Sequence, residues 1–342
     1  MSRIKTLLFV LALAAQVPLA SATVTYAVGT CEPKLPSFTT IQGALSGTPA
    51  PKVVTICPGT YAEQVVITFP VTVEGISDGN LTGATIVAPP GGLASSCENF
   101  AAQVCVDSVN GEVNLSNLTV DGSGINTSGF YAGVMYHGSA GTANHLTIEN
   151  QEGNTGLGFW DLQGASSLSV TIENSSLQNF GAAGITTLFG SGNGTLTVKQ
   201  NFLSTSSQAA AMNPEADSLF VSDNLIASSY GGINVNANEG SVSKNTVVGS
   251  EYFGIAATGA VSVTSNTIYN MPTGMLVGSD TETVAGNFIV ATENAINLSC
   301  IPGDYLHSNT ILGAANGLIN VPTGAASTNT YYNVGTISSG GC

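Results

Sequence analysis

Val242-Ser243-Lys244-Asn245-Thr246-Val247 returns 21 residues later as Val263-Thr264-Ser265-Asn266-Thr267-Ile268, and this match sets the period of the chain. The same asparagine recurs as Asn201, Asn224, Asn245, Asn266, Asn287 and Asn309, each followed within two positions by a hydrophobic residue. A second frame keeps step with it: Gly232-Ile233, Gly254-Ile255, Gly274-Met275, Ala295-Ile296 and Gly317-Leu318, with Gly133-Val134, Gly158-Phe159 and Gly184-Ile185 at wider spacing upstream. The chain is a repeat protein. Units this short do not hold a pair of helices. Runs such as Val261-Ser262-Val263, Leu219-Phe220-Val221 and Leu196-Thr197-Val198 alternate inward apolar with outward polar residues, and Gly, Asn and Ser bound them. They read as strands of a solenoid, each coil adding to long parallel sheets. Stacked Asn side chains bond their copies one coil away, and Asn tolerates the left-handed backbone of a tight corner. The Asn series is therefore read as structural.

The first residues have the pattern of a secretory leader: Arg3 and Lys5, an apolar run from Leu7 to Ala15, and Ala20-Ser21-Ala22 as a small-residue cleavage signal. The expected organisation is a signal peptide over 1–22 and one domain over 23–342, with an N-terminal cap over 23–52 and coils from 53 onward. No later apolar run is long enough to span a bilayer, and a secreted or periplasmic protein is expected. Six cysteines, Cys31, Cys57, Cys97, Cys105, Cys300 and Cys342, form an even set suited to an oxidising compartment. They allow 15 connectivities. Proximity favours Cys31 with Cys57, Cys97 with Cys105, and Cys300 with Cys342. The absence of a CxxC pair argues against zinc and dithiol redox sites.

Charge excludes more. The chain carries a net charge of −15, and its only Arg lies in the leader. Loss of the leader leaves Lys34, Lys52, Lys199 and Lys244 against 21 acidic residues, about −17. Such a surface repels nucleic acid, whose binding depends on Lys and Arg neutralising phosphates. It also repels polyanionic sugars unless a cation bridges them.

Thr39-Thr40-Ile41-Gln42-Gly43-Ala44-Leu45, Val53-Val54-Thr55-Ile56-Cys57-Pro58-Gly59-Thr60-Tyr61-Ala62-Glu63-Gln64-Val65-Val66-Ile67 and Val71-Thr72-Val73-Glu74-Gly75 together resemble the opening of pectin-lyase-like right-handed parallel β-helix proteins. The resemblance implies an all-β, single-stranded right-handed parallel β-helix of about ten coils, with a short helix over the Thr-Ile-Gln stretch capping its open end. An uncovered terminal coil would expose apolar stack and unpaired strand edges. Downstream, the resemblance is one of periodicity, roughly over Val53 to Val334. The superfamily includes pectate lyases, polygalacturonases and pectin methylesterases, but the Gln-Asp-Thr and Asp-Phe-Ile-Phe-Gly stretches of the methylesterases have no counterpart here. Nor do the Asn-Thr-Asp, Asp-Asp, Gly-His-Gly and Arg-Ile-Lys motifs of the polygalacturonases. Lyase chemistry on uronates wants a Lys or Arg base. Lys199 and Lys244 are the only solenoid candidates, and their acidic surroundings oppose the depressed pKa a base needs.

In the glycine frame, the residue two after each Gly should point outward, stacking Met135, Trp160, Thr186, Asn213, Asn234, Ala256, Leu276 and Asn297. A parallel row runs His137, Leu162, Leu188, Glu215, Asn236, Thr258, Gly278 and Ser299. Trp160, the sole tryptophan, with Met135, Tyr136, His137 and Asp161, is a candidate sugar-stacking cluster. On that reading Trp160→Ala abolishes glycan binding without lowering the melting temperature; the structural alternative is an indole covering the solenoid's flank beneath a loop. Asn213, Glu215, Asn234 and Asn236, with Glu239 nearby, offer oxygen ligands on adjacent coils. They make a candidate Ca2+ site short of carboxylates, since calcium takes six to eight oxygens, and no other cofactor is expected. Asp121 and Glu149 occupy equivalent places after Leu118-Thr119-Val120 and Leu146-Thr147-Ile148, a possible glycosidase pair that reads equally as turn residues.

Gly75-Ile76-Ser77-Asp78-Gly79 spells a nucleophile elbow without the helix that motif requires. Gly190-Ser191-Gly192-Asn193-Gly194 lacks the Lys of a phosphate loop. The expected function is a non-catalytic exported protein that binds polysaccharide or a cell-surface glycan, or is purely structural. The alternative is a divergent polysaccharide-active enzyme, pectin lyase-like or esterase-like, working at the Trp160 face.

Overall fold

The computed structural model describes residues 23–76, 83–126, 129–163, 168–187, 194–206, 209–227, 229–278, 280–299, 305–321 and 328–341. The leader, Cys300, Cys342, Leu188, the Ser77–Gly79 part of the elbow-like segment and most of the Gly190 loop lie outside them. The fold is a right-handed parallel solenoid of about eleven turns, with three strand columns forming the faces of a prism.

The first column runs from Thr25–Val28 and Val53–Ile56 to Leu306–His307. Its inward row is an aliphatic stack: Val54, Val73, Leu115, Ala143, Ile172, Val198, Val221, Val242, Val263, Val284 and Leu306 sit in register. The second column consists of short strands, from Gly59–Ala62 to Thr330–Tyr332. The third runs from Val65–Ile67 through Tyr131–His137 and Gly156–Leu162 to Thr336–Gly341. Burial of these rows in one continuous core supplies the coil-to-coil interfaces on which a solenoid's stability rests.

The asparagine frame forms the corner between the first and second columns. Asn224 Oδ1 accepts from the Asn201 backbone N–H at 2.9 Å and from Asn201 Nδ2 at 3.1 Å, and Asn224 Nδ2 passes the bond on to Asn245 Oδ1 at 2.9 Å. Asn266, Asn287, Asn309 and Asn329 continue the ladder, and Ser175 begins it upstream. The left-handed residue, however, is the one before each ladder Asn from Asn201 to Asn309: Asp223, Lys244, Ser265 and Ser308 have φ of 56°, 57°, 57° and 59°. The ladder Asn is chosen for its amide and not for its backbone. The glycine frame falls near the start of the third-column strands, where space decides. A Cβ on Gly254 would lie 2.6 Å from Ile268 Cγ2 and 2.7 Å from the Gly274 carbonyl oxygen.

At the start of the chain, Ile41–Leu45 is a five-residue helix burying Ile41, Ala44 and Leu45. Thr40 is its N-cap, and the Glu63 carboxylate accepts from the Ile41 and Gln42 N–H groups at 2.8 and 2.9 Å. Tyr61 donates to the Cys57 carbonyl at 2.8 Å. These contacts give the opening block its residue types. Cys31–Cys57 and Cys97–Cys105 are disulfides, consistent with an extracellular protein. Among the described residues, no helix is long and apolar enough to cross a membrane.

Candidate functional site

The outward row of the third column is in the register expected from the glycine frame: Met135 pairs with Trp160, Trp160 with Thr186 and Thr186 with Asn213. Its upstream end is not open. Trp160 is 0% exposed, as is Met135, because an antiparallel hairpin of Ser95–Cys97 and the start of Phe100–Asp107 folds over them. Phe100 packs on the indole with ring centroids 4.6 Å apart. Gln64 holds the hairpin through the Ala94 N–H and the Ala94 and Ala102 carbonyls, and the Cys97–Cys105 disulfide ties it to the sheet. The Trp160 cluster is thus a second hydrophobic core outside the bore, with Leu157, Leu162 and Ala183. The exposed indole expected for sugar stacking is corrected to a buried one.

Strand alternation also divides that candidate cluster. Side chains at odd and even positions face opposite ways, so Tyr136 and Asp161 turn into the bore while Met135, His137 and Trp160 face outward. Tyr136 donates to the Val113 carbonyl at 2.9 Å, and burial pushes its hydroxyl well above the usual tyrosine range. His137 lies 2.7 Å through Nδ1 from Asp107 and 3.5 Å through Nε2 from Glu98 at the hairpin tip, bridging hairpin and coil.

Asp161 is fully buried, and desolvation pushes its carboxyl up to about 7, against a smaller lowering by the Gln163 side-chain amide that donates to it. In the unfolded chain an Asp titrates near 3.9. Between these values the folded protein keeps a proton that the unfolded chain loses, so this group's contribution to stability falls as pH rises from about 4 to about 7, by at most about 1.4 kcal/mol per pH unit. Asp161→Asn keeps the shape and carries no charge. The variant should gain stability over wild type as pH rises through that window in urea unfolding, and parallel pH profiles would contradict the assignment.

Downstream of the hairpin the same face opens. A groove of about 970 Å³ has Leu157, Ala183, Thr186 and Asn213 along its floor and Phe130 and Glu152 on its flank. Asn213 joins it to a polar strip linked coil to coil: Asn234 Nδ2 donates to Asn213 Oδ1 at 2.7 Å, Asn236 Nδ2 to Glu215 Oε1 at 3.2 Å and Asn238 Nδ2 to Asp217 Oδ1 at 2.8 Å. Asn234, Asn236, Asn238 and Glu215 remain exposed. Glu239 pairs with the Ser218 hydroxyl, three residues along the strand from the Glu215 and Asn236 pair, about 10 Å at strand rise. Among the described residues no three His, Cys, Asp or Glu side chains group as a metal site.

In line with Ala182 of the groove and with Ala209 on the next coil, one and two coils further on, stand Tyr230 and Tyr252. Their backbones are hydrogen-bonded in series from Ala209 to Tyr230 to Tyr252. The rings stack at 5.7 Å with an interplanar angle of 20° and are 39% and 51% exposed. Sequence reading missed them, although a signal existed: each lies two residues before a frame glycine, Gly232 and Gly254.

The remaining candidates have structural partners. Lys199 pairs with Glu173 at 2.7 Å, and Lys244 occupies the left-handed corner. Asp121 and Glu149 are register neighbours. Asp121 accepts from Ser123 and Asn150, and although burial works to raise its pKa, those hydrogen bonds outweigh it and leave the carboxyl below its ordinary value.

The chain is a single-stranded right-handed parallel β-helix, the fold that the resemblance of its opening block implies. No family model matches the sequence, and no curated protein matches it. Among solved structures, it is similar to the DFA-IIIase of Arthrobacter chlorophenolicus A6 without its lid in complex with GF2, at 15% identity over 94% of this chain and 93% of that one, with a TM-score of 0.47. It is similar to the Dettilon tailspike protein at 13% identity over 84% of this chain, with a TM-score of 0.39, and spans 54% of the tailspike's length. A GH87 α-1,3-glucanase catalytic unit from Streptomyces thermodiastaticus strain HF3-3 matches at 15% identity over 84% of this chain and 63% of that one, with a TM-score of 0.33.

Proposed function

We propose that the protein is an exported, non-catalytic glycan-binding β-helix whose ligand lies along the outward face of the third column, from the groove at Thr186 and Asn213 to Tyr230 and Tyr252. The observation that carries this reading is the exposed, near-parallel tyrosine pair in line with a groove bordered by cross-coil Asn and acid pairs. A tyrosine ring offers an apolar plate with a polar rim, suited to the C–H face of a sugar. The Asn amides beside it offer donors and acceptors to hydroxyls. Held by neighbouring coils, these groups are ordered before the ligand arrives, which lowers the entropic cost of binding. The net charge of −15 favours a neutral chain over a polyuronate.

The test is calorimetric titration with soluble dextran, glucomannan and arabinoxylan, and with polygalacturonate as the acidic comparison. At least one neutral polymer is expected to bind more tightly than polygalacturonate. Tyr252→Ala should weaken that binding about tenfold, roughly 1.4 kcal/mol, with an unchanged unfolding midpoint. Binding that survives Tyr252→Ala, or no binding to any polymer, would overturn the proposal.

A further inference from the structure

The second column carries a different surface. From Phe202–Ser204 through Leu225–Ala227, Thr246–Val248, the Thr267 and Phe288 strands, Thr310–Leu312 and Thr330–Tyr332, seven coils keep an unbroken register. Their middle residues, among them Ile226, Val247, Ile268, Ile289 and Ile311, are buried in the bore. The flanking residues therefore face outward in two rows. One row is Phe202, Leu225, Thr246, Thr267, Phe288, Thr310 and Thr330. The other is Ser204, Ala227, Val248, Tyr269, Val290, Leu312 and Tyr332.

None of these positions carries an acid or a base, in a chain with 21 acidic residues. Upstream in the same column the row carries acids at Asp121 and Glu149, and from Gln178 onward it carries none. Large apolar groups take over, with Tyr269 52% and Tyr332 58% exposed and Leu225 and Phe288 also exposed. Coils about 4.8 Å apart make the strip about 29 Å long and, at two side chains wide, on the order of 400–500 Å². That matches the largest apolar patch of an ordinary monomer, which is often functional.

We infer that this strip is a self-association face, on which a second copy of the chain docks by the same strip across a twofold axis. Charge selects the occupant. Two copies at −15 repel through most of their surfaces, and a charge-free face is where they can meet without burying like charges. The strip's polar groups are hydroxyls alone, of four Thr, two Tyr and Ser204, with no amide or carboxylate to meet a glycan's hydroxyls, and it has no Lys or Arg to hold an anionic membrane. About 400–500 Å² per copy falls below the roughly 800 Å² per partner of stable complexes, so the dimer is weak and reversible. Docking there leaves the outward face of the third column uncovered.

Sedimentation velocity on the full mature protein, across micromolar to millimolar concentration and at low and high NaCl, tests this. A monomer–dimer equilibrium that strengthens with salt is expected, because screening removes the repulsion between copies. Tyr269→Asp should weaken dimerisation at least tenfold. Tyr305→Asp, the same charge change at an exposed tyrosine off the strip, should leave it within about twofold of wild type, allowing for screened long-range repulsion. A chain monomeric throughout, Tyr269→Asp without effect, or equal weakening by Tyr305→Asp would overturn the inference. So would a monomer held on insoluble neutral polysaccharide and released by Tyr269→Asp, an outcome that reassigns the strip without touching the groove.

Discussion

Asn245→Ala is expected to destabilise the protein by about 3–5 kcal/mol in urea unfolding. Asn245 Oδ1 is the acceptor for both the backbone N–H and the Nδ2 of Asn224, at 3.0 and 2.9 Å, while its own Nδ2 donates to the Val221 carbonyl and to Asn266 Oδ1, each at 3.0 Å. All these groups are buried, and each orphaned buried group costs about 1–3 kcal/mol. The Asn224 backbone N–H loses its acceptor outright, its Nδ2 keeps the Val198 and Ser222 carbonyls, and the vacated volume adds to the penalty. Asn245→Asp keeps the shape and should lose comparable stability, since an acceptor would then face the oxygens of Val221 and Asn266. Lys244→Gly, one residue away at φ 57°, should stay within about 1 kcal/mol of wild type, because relief of the left-handed backbone offsets glycine's entropy. Equal losses at 244 and 245 would show that the corner, and not the amide ladder, holds the coils together.

Trp160→Ala is expected to cost about 3–5 kcal/mol, the range for truncating a large buried aromatic. The indole is covered by Phe100 and the disulfide-tied hairpin, in a cluster with Met135, Leu157 and Ala183. Its loss leaves a cavity that the Cys97–Cys105 link keeps the hairpin from closing. Trp160→Phe should cost less, since most of the volume remains. A Trp160→Ala protein with an unchanged unfolding midpoint and abolished glycan binding would restore the exposed-indole reading and contradict the packing described here.

The fold was largely legible because its two frames answer to separate physical demands. Asn245 and its copies must present an amide to the next coil, and Gly254 and its copies must leave room for an isoleucine and a carbonyl. Each requirement repeats once per coil and so appears as spacing. The opening block was legible for the same kind of reason: Glu63 reaches two helix N–H groups and Tyr61 a turn carbonyl, roles few other residues fill. The cover on Trp160 was not legible. The hairpin that buries it is an insertion without periodicity, and nothing in its spacing says over which face it folds. Tyr136 and Asp161 were grouped with Trp160 by sequence proximity, although a period of two sends them into the bore. Tyr230 and Tyr252 are readable in the glycine frame, two residues before Gly232 and Gly254, but the coils on either side carry Ala209 and Pro272 there, so no period marks the pair.

The most direct test of the binding account is hydrogen–deuterium exchange of the intact mature protein, with and without a saturating concentration of the tightest-binding neutral polysaccharide. Slower exchange is predicted in the segments around Asn154 to Leu157, Ala182 to Thr186, Ala209 to Asn213 and Tyr230 to Tyr252, with no change in the hairpin or at Phe159–Leu162 beneath it. Protection confined to the hairpin and the Trp160 strand, or protection nowhere, would contradict it.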